Sequence, residues 1–257
     1  MIDIQNIATK FNEYVTNYDP NNERIKLKID HIKRVASNSK VIAENLKLNE
    51  EQVNLAIAIG FFHDIGRFEQ VRIADTFSDR DSGMIHGEMG VKVLFEKYFI
   101  REFIEDSRYD EIIKKAILNH NRAAIEDGLS DEELLFCKII RDADKLDIFY
   151  TISKEEYSME SIFWYPEFDN EEISPRILEE FYKGVSIDYS LIHTNGDVIA
   201  IFYAYLYDLY FPISKGIIYQ KHYLEDFAER VIKTFPSPKI HEQTYELLKV
   251  ANTYLTK

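Results

Sequence analysis

Residues 61–64 read Phe-Phe-His-Asp and close an apolar stretch, NLAIAIGFF, that spans residues 54–62. A segment of that kind is built for burial, and a buried imidazole or carboxylate needs a hydrogen bond, an opposite charge or a metal ion. Three more histidines, His31, His86 and His120, lie on or at the ends of expected helices among apolar neighbours, and Asp144 sits in the later stretch IIRDADKLDIF. A helix bundle can aim such side chains from several helices at one interior point. Imidazole with carboxylate suits divalent transition metals, and the lack of clustered thiolates argues against a structural zinc site. Taken singly, such residues are more often a hydrogen-bonded core histidine and a capping or surface aspartate. The set carries more weight than any member.

Spacing bears on how the central pair could work. Neighbours on a regular helix point roughly 100° apart, so His63 and Asp64 share an ion more easily in a loosened last turn. Gly66 is placed to end that helix.

The order His … His-Asp … Asp resembles the HD superfamily of metal-dependent phosphohydrolases. The matching positions are His31 in DHIKRV, His63 and Asp64 in FFHDIGR, whose HDIG is a recurrent signature, and Asp144 in the ADK of RDADKLD. The likeness covers roughly residues 25–150. It implies an all-α fold and one divalent ion held by His31, His63, Asp64 and Asp144. Some members hold a second ion through extra histidines, bridged by the aspartate of the pair. His86, in MIHGEMG, and His120, in ILNHN, stand in the right order for that role, or for binding substrate phosphate instead. Asp142 competes with Asp144, but the family pattern has a small apolar residue before the ligand, which favours Ala143-Asp144.

The resemblance therefore implies hydrolysis of a small-molecule phosphate ester, a nucleotide foremost. One or two ions per chain (Mn, Fe, Co, Ni, Zn or Mg) would activate the water, and Asp64 would orient it. Arg67 stands where some relatives carry a lysine or glutamate with a catalytic role. A guanidinium is suited to clamp phosphate rather than move a proton, so no general acid carries over. Arg67 is the first expected anion holder and Lys145 the second, while Glu69 and Arg72 are weaker candidates for a place in the site. Two other readings stand beside this one: a di-iron oxygenase on the same scaffold, and a non-catalytic metal-stabilised binding module.

The elements that must position these groups are helical almost throughout. Ile4, Ile7, Phe11 and Tyr14 recur at helical spacing, as do Ile25, Ile29, Ile32 and Val35 around His31. Further helices are expected at EEQVNLAIAIGFFHD, HGEMGVKVLFEKYF and DEIIKKAILNHN, with VRIADTFSDRDSG as a loop. Ser130 and Glu133 form a capping-box pattern before LLFCKIIRDADKLDIFYTI. Ser174-Pro175 suits a helix start and Gly184 its end, and segments 197–210, 216–233 and 238–256 complete the series. The expectation is one all-α domain, with an HD-type metal-binding core at about 21–155 and a helical extension at about 156–257. The irregular stretch 163–174 is a weak candidate boundary. Its FWYP and the later FYAYLYDLYF could line a base pocket, although aromatics at helical spacing are more often core.

Composition narrows the function classes. The chain has 257 residues and a net charge of −14. That sign repels a polyphosphate backbone, and no basic stripe overrides it, so nucleic acid is not an expected partner. A small anion is compatible, because a metal and a few bases can reverse the potential within one cleft. Cys137 is the only cysteine, lies on an apolar helix face and points to a reducing compartment. The N-terminal stretch has no basic-then-apolar signal pattern, and the longest apolar run, residues 198–207, is half of what a membrane span requires. A cytoplasmic protein is expected, with no membrane partner and with a homodimer left open.

Overall fold

The structure, a computed structural model, describes residues 2–96, 99–158 and 172–256. Among these residues the regular elements are helices, and the chain divides into two compact units, residues 1–144 and 145–257. Residues 163–166, the FWYP stretch, lie outside the described residues.

In the first unit, α1 (Ile4–Val15) starts at Asp3, whose carboxylate accepts from the backbone N–H groups of Gln5 and Asn6. Asn22 caps α2 (Glu23–Asn45) in the same way, and Asn49 with Gln52 makes a reciprocal capping box on α3 (Glu50–Phe62). Helix α3 is apolar on nearly every side, and Val53 and Leu55 through Phe62 are all buried. It is the central rod of the unit. Helix α2 lies close against it: a methyl group on Gly60 would stand 2.6 Å from Ala36 Cα, so the contact requires glycine.

Shorter elements follow: α4 (Gly66–Ala74), α5 (Asp79–Ser82), α6 (His86–Phe95), α7 (Ile100–Phe103) and α8 (Asp110–Asn119). The expected stop at Gly66 is corrected here. The chain turns over residues 63–65, and Gly66 opens α4 instead of ending α3. The expected loop 71–83 is likewise shorter, because its first residues belong to α4 and residues 79–82 form α5. Helix α9 (Asp131–Ser153) begins at the Ser130–Glu133 box, with Ser130 N–H donating to Glu133 Oε2 at 2.8 Å. The division between the two units falls inside α9.

The second unit holds the end of α9 with α10 (Pro175–Tyr182), α11 (Asn195–Ala204), α12 (Pro212–Gln220), α13 (Tyr223–Thr234) and α14 (Pro238–Leu255). The expected single segment 216–233 is broken at His222, whose left-handed backbone (φ 55°) separates α12 from α13. Tyr203 is buried against Phe227, which places part of the FYAYLYDLYF stretch in the core. No described helix is long and apolar enough to cross a membrane.

Candidate metal centre

The turn at 63–65 solves the problem of two neighbouring ligand-type residues. His63 N–H still bonds to Ile59 O, and Arg67 N–H then bonds to Asp64 O at 2.9 Å. With Ile65 N–H bonded to Phe62 O, the backbone changes direction between α3 and α4 while keeping turn hydrogen bonds. Both side chains of the pair are buried.

Around Asp64 the first unit assembles two clusters that share its carboxylate. The first comprises His31 from α2, His63, Asp64 and, nearby, Asp144 from α9. His31 Nε2 lies 3.2 Å from His63 Nε2 and 3.2 Å from Asp144 Oδ1, and Asp64 Oδ2 is 3.5 Å from His31 Nε2. The second comprises Asp64, His86 at the start of α6 and His120 at the end of α8. Here His86 Nε2 is 3.0 Å from His120 Nε2, and Asp64 Oδ1 lies 3.4 and 3.6 Å from the two.

The proton positions decide what these contacts mean. His63 Nδ1 faces Gly60 O at 2.8 Å, and His120 Nδ1 faces Ile117 O at 2.6 Å. A carbonyl oxygen only accepts, so each Nδ1 carries the proton, and in its neutral form such a ring turns a bare lone pair inward from Nε2. His86 Nδ1 is likewise committed to Asp79, at 2.7 and 2.9 Å from its two oxygens. In the second cluster two lone pairs thus face each other, joined by Asp64 Oδ1, a buried oxygen with no hydrogen-bond partner among the described residues. The two lone pairs and Asp64 Oδ1, which has Arg67 Nε 3.6 Å away, repel one another unless a cation lies among them. The donor set fits a divalent ion: nitrogen and carboxylate oxygen, each imidazole oriented by a partner on its far nitrogen.

Electrostatics agree. Burial holds His63 below the usual histidine value, and burial with the nearby Arg67 charge brings His86 down to about 4. Burial opposes ionisation of Asp64, but the Lys28 ammonium leads the groups that hold it well below the carboxylate range. Asp144 is likewise held well below that range against burial, foremost by His31. Neutral imidazoles and ionised carboxylates are the forms that bind metal.

The structure brings His31, His63, Asp64, His86, His120 and Asp144 together. Asp142, two residues before Asp144 and fully buried, leaves the helix in another direction. Arg67 is largely committed to the protein: its Nη1 donates to Gln70 Oε1 at 2.7 Å, to Asp79 Oδ1 at 2.9 Å and to Phe77 O, while Nε lies 3.6 Å from Asp64 Oδ1. Lys145 belongs to the second unit, with Nζ 2.6 Å from Asp208 Oδ2. Arg72 reaches Glu69 at 2.5 Å on the outside of α4, and Glu69 also accepts from Tyr18.

Two residues escaped the sequence reading. Asp79 orients His86 while gathering Arg67 and Gln70, and Burial notwithstanding its pKa is drawn down to about 2 by His86 and Arg67. Lys28 bonds Asp64 Oδ2 at 2.6 Å. Its only sequence signal is its position three residues before His31 on one helix face. Asp79 gives none, since it stands in a polar stretch with four other charged or hydroxyl residues around it.

Residues 29–148 match the family model for the HD domain, which contains every member of both clusters. They are an HD domain. No curated protein and no solved structure matches the chain. HD domains bind divalent metals, and this one has a buried His/Asp set that could hold them.

Proposed function

We propose that this HD-domain protein is a metal-dependent phosphohydrolase that cleaves a phosphate ester of a small molecule, with nucleotides the first class to try. The observation that carries the reading is the shared carboxylate: Asp64 serves two adjacent sets of inward-facing acceptors, one per oxygen. Residues His31, His63, Asp64 and Asp144 would hold one ion, and Asp64, His86 and His120 a second. Bound there, such an ion lowers the pKa of a coordinated water toward neutrality and polarises a phosphoryl oxygen.

The chain's own groups then have distinct tasks. Asp64 stays ionised and, in the reading we favour, orients the water. Asp79, Gly60 O and Ile117 O fix three imidazoles in the tautomer that presents Nε2. Arg67 holds residues 77 and 79 beside Asp64 and contributes positive potential to the pocket. These hydrogen bonds are all made within the protein itself, and groups oriented in advance are what electrostatic stabilisation of a phosphoryl group requires.

The test is elemental analysis of the purified chain with a phosphate-release screen over nucleoside monophosphates, cyclic nucleotides, triphosphates and sugar phosphates. Manganese-dependent release by the native chain, lost in Asp64→Ala, is expected. Metal binding without release from any member of the panel would refute the proposal, and oxygen consumption by an iron-loaded sample would replace it with the oxygenase reading.

A further inference from the structure

Asp64 presents its two oxygens to different chemistry. Oδ1 has no donor, whereas Oδ2 accepts from the Lys28 ammonium at 2.6 Å. Lys28 is also partly open to solvent: its side chain is 17% exposed, like that of Asp144 and close to Arg67 at 15%, against 4% for Asp64 and 0% for His63. Its Nζ lies 5.2 Å from the centre of the Phe77 ring, a contact that favours an ammonium at the rim of the pocket. A lysine at such a place is a point charge on a flexible stem, free to exchange one anionic partner for another.

That exchange follows from competition for one oxygen. A cation held by His31, His63 and Asp144 draws on Asp64 Oδ2, the atom Lys28 occupies. Two positive charges on one buried carboxylate oxygen repel strongly where water is scarce. The Lys28 side chain is partly open to solvent, and the Phe77 ring beside its ammonium favours a cation there. There, the anion that a loaded centre attracts becomes the partner left for it.

Resting on the phosphohydrolase reading, we infer that Lys28 has two stations: it neutralises Asp64 while the centre is free of metal, and on loading it yields that oxygen and binds the phosphoryl group of the substrate. Lys28 is thus both a competitor for metal and an anchor for the anion; Arg67, the other base beside Asp64, has its Nη1 engaged by Phe77, Gln70 and Asp79.

The experiment uses the full chain with Lys28→Met, Lys28→Gln and Lys28→Arg. Manganese affinity is read by competition with a chelator, and inorganic phosphate affinity of the manganese-loaded protein by calorimetry. Linkage predicts that Lys28→Met binds manganese about tenfold more tightly. Loss of a charge-assisted bond predicts phosphate binding about tenfold weaker, restored in Lys28→Arg. Lys28→Gln keeps a donor for Asp64 and carries both readings should Lys28→Met fail to fold. Unchanged or weaker manganese binding in the neutral variants, unchanged phosphate binding, or a loaded native chain that binds no phosphate would each overturn the inference. Neither reading uses turnover, so a chain that passes both and hydrolyses nothing refutes the hydrolase proposal alone.

Discussion

Gly66→Ala tests whether the approach of α4 to α6 sets the geometry of the second cluster. A methyl group at Gly66 would stand 2.3 Å from His86 O and 2.5 Å from Gly90 N, both backbone atoms that cannot rotate away. Restoring ordinary contact requires the two helices to part by about 1 Å, in an interior packed as densely as a crystal. Overpacking of this kind costs about 1–3 kcal/mol, while alanine's helix propensity returns up to about 1 kcal/mol, and less at a first helical position. Destabilisation should win. His86 begins α6, so the same displacement carries its Nε2 away from Asp64 Oδ1, now 3.4 Å distant. Urea unfolding of chelator-treated protein reads the first effect, and manganese titration the second, with binding at the His86–His120 cluster weakened selectively. Gly90→Ala is the control, because its added methyl meets Ile117 Cγ2 at 3.4 Å, Gly66 N at 3.5 Å and Ile65 Cγ2 at 3.6 Å, all ordinary contact distances. Were Gly66→Ala as stable as the native chain, with manganese binding unaltered, the claim that this contact positions His86 would be wrong.

Three further outcomes are expected. Asp79→Asn removes the charge that orients His86, and should weaken manganese binding about 10–100-fold in chelator competition, as changes to a ligand's supporting partner do. His86 has its pKa lowered to about 4, so between that value and its unfolded 6.5 the unfolded chain binds more protons. Stability of the chelator-treated protein is therefore fully present above pH 6.5 and lost as pH falls toward 4, by about 3 kcal/mol from this residue; urea midpoints across that range measure it, and His86→Gln should flatten the slope. Burial pushes the Cys137 thiol up to about 12, so a maleimide at pH 7.5 should label it only after urea unfolding, and rapid native labelling would contradict its burial.

Much of the helical frame was legible because its signals are local. The apolar spacing of α1 and α2, the Ser130–Glu133 box and the Ser174-Pro175 start each act within a few residues, and each marks a helix found in the structure. Local signals failed where a distant contact decides. Gly66 reads as a stop because glycine often ends helices, yet here it opens α4 so that α6 can come within reach. His222 bears no mark of a breaker, and its left-handed backbone splits a segment whose apolar pattern runs on.

The sequence by itself determined which chemical groups the chain holds, their order along it and their placement on buried helix faces. Those are properties of residue type and period. Tertiary structure alone decided that Asp64 has one oxygen for each of two clusters, that Asp79 holds His86, that Arg67 is spent on Phe77, Gln70 and Asp79, and that Lys28 rests on Asp64. Each is a meeting of side chains several to many residues apart, and a hydrogen bond about 3 Å long depends on where whole helices come to rest.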